Sequence, residues 1–372
     1  MPSPFLSATG PVMLPRSASS SWLRNGRGQR IWLQLTSHFT PVAVAVKRVV
    51  GQYVTGLFWR CMGVSCEIGN VPEYVVSAAG LSKIYRNGIQ ALKGIALSVK
   101  EGEIFCLLGP NGAGKTTTLR IFSTQLEPDK GDVWILGFNL RTKRKCIRKR
   151  IACVPQEAMP DPELTAWDHV FYYLFARGLS VLEARKRARW ALEAAQLWDH
   201  RNTPTAQLSG GMRKRVLVAM VIATRASLIF LDEPSAGLDP LSRRALWQVL
   251  YELKGESSIF LTTHAMDEAE AISDMIAVLY QGRVLAVGTP RELKEQVLVS
   301  GDHKLVLEGP LPPGCEELGR VEAYGGKTII YPKDEGAIQL LVEHSLKAGV
   351  RVAIQPVTLE DAFIYLVSEA GA

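Results

Sequence analysis

Ile104-Phe105-Cys106-Leu107-Leu108-Gly109-Pro110-Asn111-Gly112-Ala113-Gly114-Lys115-Thr116-Thr117 decides the reading of this 372-residue chain. Its first five residues form a short, unbroken apolar run, the pattern of a strand buried on both faces. The nine that follow fit Gly-x-x-x-x-Gly-Lys-Thr, a nucleoside-triphosphate loop. A strand precedes the loop and a helix follows it, predicted to continue over 119–126, and this is the setting that gives the motif meaning. The glycines permit positive φ and let the backbone approach phosphate closely. Backbone N–H groups and the helix N-terminus then form a positive cradle. Lys115 can reach the β- and γ-phosphates, and the Thr116 hydroxyl can ligate Mg²⁺. A chance Gly-rich turn would not supply strand, spacing and Lys-Thr together.

A second apolar run, Leu228-Ile229-Phe230-Leu231, ends in Asp232-Glu233-Pro234. It places two carboxylates at the C-terminal end of a buried strand, the edge where open α/β sheets bind ligands. Asp232 is predicted to hold Mg²⁺, and Glu233 to polarise an attacking water as general base. Alone, the pair could equally be a helix cap or an exposed turn. Downstream of a glycine loop it reads as chemistry. Ile259-Phe260-Leu261-Thr262 is a third buried strand.

Composition narrows the partners. The net charge of +7 resides almost wholly in the N-terminal extension, where seven Arg or Lys residues face only Glu67 within 1–72. The rest of the chain is nearly neutral, so charge does not suggest a nucleic-acid-binding core, and no nucleic acid partner is expected. The six cysteines show no metal-ligand spacing, which reads as free thiols in a reduced compartment. No run reaches the roughly 18–20 apolar residues that span a bilayer. The best, Val49 to Val64, holds Gln52, Thr55 and Arg60.

Three units are expected: 1–72, 73–295 and 296–372. The first is rich in Ser, Pro, Gly and Arg, and three readings stay open: a disordered extension or over-long start, a targeting peptide, or a membrane-surface segment on Trp32, Phe58 and Trp59. The second opens with a strand at Tyr74–Val76, then Gly80–Tyr85, a hairpin turn at Asn87-Gly88 and a strand over Ala91–Val99. Residues 165–200 read as helical. The third reads as a small α+β unit: strand Lys304–Leu307, hairpin at Gly325-Gly326, helix Ala337–Ala348, strand Val350–Ile354 and helix Leu359–Glu369. The basic stretch Arg141–Arg150 is either a solvated helix face or a surface near anionic lipid.

Leu208-Ser209-Gly210-Gly211-Met212 adds a further signal. Ser209 can cap a helix, and Gly210-Gly211 bares the amides at its start, which suits a phosphate. With this sequence, residues 74–290 resemble the nucleotide-binding subunit of an ABC transporter. The resemblance implies an α/β P-loop NTPase cassette with a RecA-like core, an antiparallel β subdomain and a helical signature subdomain, followed by the small C-terminal α+β domain. It assigns adenine stacking to Tyr85, a contact with Mg²⁺ and attacking water to Gln156, and a γ-phosphate contact to His264. Ser235-Ala236-Gly237-Leu238-Asp239-Pro240 matches the loop that crosses the dimer interface. It implies that Ser209, Gly210 and Gly211 face the ATP held by a second protomer. The nucleotide would lie on Gly109, Pro110, Asn111, Gly112, Ala113, Gly114, Lys115, Thr116 and Thr117.

Val154-Pro155-Gln156-Glu157, Ser209-Gly210-Gly211-Met212-Arg213-Lys214-Arg215, Gly288-Thr289-Pro290 and the ending Pro356–Phe363 are similar to the daunorubicin-resistance group of ABC-2 exporters. That implies ATP and Mg²⁺ as cofactors and a homodimer or paired cassette in the ATP-bound state. It also implies a separate membrane permease, with the chain peripheral on the inner face of the cell membrane. Phe171–Phe175 could partly face that permease or serve a subdomain core. One departure stands out: Asn202-Thr203-Pro204-Thr205-Ala206 is more polar and Pro-broken than the resemblance leads one to expect. The alternative function is a soluble ABC ATPase of translation or DNA repair. Against it stand the single cassette and the lack of a long heptad run.

Overall fold

The computed structural model describes residues 22–24, 30–32, 73–297 and 302–371. Strands β1 (Trp22–Arg24) and β2 (Arg30–Trp32) form a two-stranded antiparallel pair. Apart from these six residues, the stretch 1–72 on which the three readings fall lies outside those described.

After residue 73 come β3 (Tyr74–Ile84) and β4 (Gln90–Lys100), antiparallel across the Asn87-Gly88 turn. β3 is one strand of 11 residues, not the two pieces expected. Gly80, at φ +62°, absorbs a register shift and lets the ladder resume. β5 (Ile104–Leu108) follows and is wholly buried, then comes the helix Lys115–Phe122. That helix starts on the glycine loop itself and ends before 126, because Ser123 caps it and Thr124 turns to φ +65°. β6 (Lys130–Ile135) and β7 (Phe138–Asn139) complete an antiparallel sheet of order β4-β3-β6-β7.

The main sheet adds β8 (Ile151–Val154), β9 (Leu228–Asp232), β10 (Ser258–Thr263), β11 (Met275–Tyr280) and β12 (Arg283–Gly288). Its order is β12-β11-β5-β10-β9-β8, parallel except for β12. β5, β9 and β10 are buried at every position. Each Leu, Ile or Phe so buried contributes about 1.5–3 kcal/mol, which fixes these strands as the rigid floor of the molecule. Phe105, Phe122, Phe230 and Phe260 pack between this sheet and the antiparallel one.

Between β8 and β9 lie the helices Ala166–Ala176, Val181–Ala194 and Gly210–Ile222. The expected helix over 165–200 is therefore two helices, each opened by a capping side chain, Thr165 and Ser180, with a 3-10 turn at Trp198–His200. No helix among the described residues is long and apolar enough to cross a membrane.

The C-terminal part forms its own antiparallel sheet from β13 (His303–Glu308), β14 (Gly319–Tyr324), β15 (Lys327–Pro332) and β16 (Arg351–Pro356), in the order β14-β15-β13-β16. The helix Glu335–Lys347 covers it, and Leu341 joins Leu305, Leu307 and Ile330 in a small core. The last helix, Leu359–Gly371, instead sends Leu359 and Ala362 into the core of the main sheet's helices beside Leu293 and Val297. The joint is polar as well. Lys304 Nζ donates to both Asp361 oxygens at 2.7 Å, and the Tyr331 hydroxyl donates to Oδ1 at 2.9 Å. Cys106, Cys153 and Cys315 are free thiols, but Cys146 is disulfide-bonded, contrary to the reading of free thiols throughout.

Candidate functional site

Three strand ends deliver the site. The glycine loop leaves β5, the acidic pair leaves β9 and His264 follows β10. These strands are adjacent and parallel, so all three ends open on one edge of the sheet. The loop has no room for side chains at two of its glycines. A Cβ at Gly109 would lie 2.2 Å from the Leu279 carbonyl oxygen, and one at Gly114, at φ +110°, would lie 2.7 Å from that of Ala91. Gly114 forms the N-terminal boundary of the Lys115–Phe122 helix, so the helix's unpaired N–H groups point into the loop.

The buried Lys115 Nζ donates to the Gly109 and Pro110 carbonyls at 2.8 and 3.1 Å and lies 3.3 Å from Glu233 Oε1. Thr116 Oγ1 donates to Asp232 Oδ1 at 3.3 Å. Gln156 Nε2 donates to Glu233 Oε2 at 3.1 Å, and His264 Nδ1 lies 3.2 Å from the same oxygen. Glu233 is therefore the hub on which Lys115, Gln156 and His264 converge. Its backbone is unusual: φ is +48°, a costly region for a residue with a side chain. The Glu233 N–H holds it there by donating to Thr262 O at 3.0 Å, with Thr262 Oγ1 at 3.2 Å. The Thr262 hydroxyl also donates to Asp232 Oδ1. Burial pushes the Asp232 carboxyl above its ordinary range, against the pull of the Thr262 and Thr116 hydrogen bonds.

Of these groups, Lys115, Thr116, Gln156 and Glu233 line a cavity of about 740 Å³. It is lined by Tyr85, Ala91, Lys93, Asn111, Gly112, Gly114, Lys115, Thr116, Thr117, Gln156 and Glu233, with Gln281 and Gly282 from the β11–β12 turn. The Tyr85 hydroxyl sits 3.0 Å from Thr117 Oγ1, so its ring stands at the rim. The oxygen donors Thr116 and Asp232, with the Gln156 amide nearby, are the hard ligands that suit Mg²⁺ beside phosphate oxygens.

The signature lies elsewhere. Ser209 and Gly210 are exposed, and the described lining of the large cavity includes none of Ser209, Gly210 and Gly211. Ser209 Oγ accepts the Met212 N–H at 3.2 Å and opens the Gly210–Ile222 helix. The neighbouring helix Pro240–Glu252 is capped by Asp239, which accepts from Leu241 and Ser242 N–H. The two helix starts abut: a Cβ on Gly211 would meet Ser242 Oγ at 2.4 Å.

Sequence reading missed three contributors. Thr262 anchors the Asp232 carboxylate and the Glu233 backbone N–H, and only its place just before Thr263-His264 hinted at a role. Gly282, at φ +78°, brings its turn against Ala91, where a Cβ would be 2.7 Å from the carbonyl oxygen. Lys214 is the third. Burial pulls its ammonium below the ordinary lysine range, while Glu233 and Asp232 favour its charged form.

Residues 92–236 match the ABC transporter family. The chain is 36% identical to a Nod factor export ATP-binding protein I of Ralstonia nicotianae, over 80% of this chain and 95% of that protein. It is 38% identical to the daunorubicin/doxorubicin resistance ATP-binding protein of Streptomyces peucetius, over 61% and 68% of the two chains. Among solved structures, it is similar to cbiO1 of Clostridium perfringens, part of an ABC transporter complex. There the TM-score is 0.55 at 30% identity, covering 61% of this chain and 94% of that one. It is also similar to a dimeric ATP-binding cassette bound to ADP and phosphate in a post-hydrolysis state, with a TM-score of 0.53 at 32% identity over 57% and 98%.

Proposed function

The chain belongs to the ABC transporter ATP-binding family and is an ATPase, and on that premise we propose that two cassettes close around two ATP molecules to drive export through a separate membrane permease. Its export-protein relatives favour this over a soluble role in translation or DNA repair. The observation that carries the proposal is the split site. Lys115, Thr116, Gln156 and Glu233 line one cavity, with Asp232 bonded to Thr116 and His264 beside Glu233, while the phosphate-seeking turn Ser209–Gly211 of the same chain is absent from its described lining. A second chain, either an identical copy or a paired cassette, would bring its own Ser209–Gly211 to the γ-phosphate. ATP then joins the two chains, and hydrolysis releases them.

In this reading, the loop N–H groups and Lys115 bind the phosphates, with Lys115 exchanging its carbonyl contacts and Glu233 for phosphate oxygens. Thr116, Asp232 and Gln156 would hold Mg²⁺, which supplies charge neutralisation at the phosphates. Glu233, freed of Lys115, accepts the proton of the attacking water. Gln156 and His264 flank it, orienting that water and the γ-phosphate. Tyr85 stacks on the adenine. The cassette is assigned to 73–295 and the accessory domain to 296–372. The chain would work at the inner membrane face through its permease. The experiment is co-purification with a permease from membranes, followed by ATP-dependent transport in vesicles. ATP-driven transport supports the proposal, whereas a chain that stays soluble and stimulates ribosomal or DNA reactions overturns it.

A further inference from the structure

The stretch Asn202–Ala206, out of keeping with the family pattern in sequence, is tied down in the structure. Pro204 bridges Thr165, Thr205 N–H donates to Leu164 O at 2.9 Å, and Ala206 N–H donates to Pro162 O at 3.2 Å. Two fully buried side chains, His169 and Thr205, then close on Asp161. The Thr205 hydroxyl donates to the Asp161 carbonyl at 2.6 Å. The Asp161 N–H donates to His169 Nε2 at 2.8 Å. His169 Nδ1 lies 2.9 Å from the Thr165 carbonyl. A carbonyl can only accept and an N–H can only donate, so the ring carries its proton on Nδ1. Both backbone polar groups of Asp161 thus end on buried side chains from two different segments.

The position of this knot gives it meaning. Asp161 lies five residues after Gln156, and Thr205 four residues before Ser209. Buried Ala158 and Pro160 leave little slack on the first side, and buried Leu208 on the second. We propose that His169 and Thr205 are positioning residues that lock the Gln156 segment to the entry of the signature turn, so the two move as one unit when ATP binds. Neither side chain lines the nucleotide cavity; both act through Gln156 and Ser209. The inference rests on the ATPase reading above.

The test uses the full-length chain and Mg-ATP. His169→Leu removes the acceptor of the Asp161 N–H, and Thr205→Val removes the short hydroxyl bond to the Asp161 carbonyl and leaves it the longer Leu164 N–H contact at 3.3 Å. The resulting misplacement of Gln156 should lower kcat about ten-fold or more. KM for ATP should stay within about two-fold, because the glycine loop is untouched. His169→Gln keeps an acceptor where Nε2 stood, and Thr205→Ser keeps the hydroxyl, so both should recover most of kcat. Should His169→Leu fail to fold, the Thr205→Val and Thr205→Ser pair, nearly isosteric, decides alone. Unchanged kcat in Thr205→Val, or a conservative variant as impaired as its disruptive one, overturns the proposal. A wild-type chain without ATP turnover overturns the ATPase reading itself.

Discussion

At the glycine-loop end of the nucleotide site, Lys115, Asp232 and Glu233 are buried and bonded to one another or to their neighbours. At the signature end, Ser209 and Gly210 are exposed. The loop end is fixed before any ligand arrives: two glycines without room for a Cβ, a strained Glu233 pinned by Thr262, and three side chains meeting on its carboxylate. The signature end is held by its cap, its contact with the Asp239 helix and the Thr205 knot at its entry, but it presents Ser209 and Gly210 to the outside. The contrast teaches that one end is a finished half-site and the other a surface prepared for something outside the chain.

The largest test of the finished end is Glu233→Gln. Removing the base while keeping shape should cut ATP turnover by about 10²–10⁴-fold and leave ATP-bound dimers visible by light scattering. Turnover within a few-fold of wild type would remove Glu233 as base and leave the loop end a binding site only.

A second variant lies away from both ends and so separates stability from chemistry. Asp361→Ala strands the buried Lys304 ammonium and removes the carboxylate that accepts from the Thr358 N–H and hydroxyl. It should cost about 3–5 kcal/mol in the packing of the C-terminal unit, read as a lower Tm. Per-molecule ATP turnover below that Tm should hold, and if turnover falls in step, the site is not independent of this unit. Burial raises the Asp361 pKa, but Lys304, Thr358 and Tyr331 outweigh it, so the folded value lies below the unfolded one. Its stabilisation is therefore full above the unfolded aspartate pKa of about 3.9. It is lost as pH falls through the folded value. The acid limb of a Tm–pH curve should flatten in the variant.

The smallest effect is expected at the rim. Tyr85→Ala should raise KM for ATP about ten-fold through lost stacking on the base, with kcat little changed. A fall in kcat without a change in KM would instead place Tyr85 among the catalytic groups.

The glycine loop and the acidic pair were legible because phosphate chemistry demands particular residues at fixed spacing within a few positions. The buried strands were legible because unbroken apolar runs leave little choice. Other features depend on neighbours far along the chain. β3 continues through Gly80 only because a positive φ restores its register against β4. The helix after the loop stops early because Thr124 turns left-handed. Thr205, part of an apparent irregularity in sequence, acquires its role only where Asp161 and His169 fold against it.

The split between the two ends is tested most directly by mixing two inactive chains. Lys115→Ala disables the loop end. Gly210→Asp sets a carboxylate at the signature end, where a side chain meets nothing within 4 Å in the isolated chain, so folding should survive. If the site forms between chains, a mixed dimer retains one site with an intact loop from one chain and an intact signature from the other. The mixture should then hydrolyse ATP in single-turnover assays where neither chain does alone. A mixture as inactive as its components, with mixed dimers shown to form, would contradict the shared site.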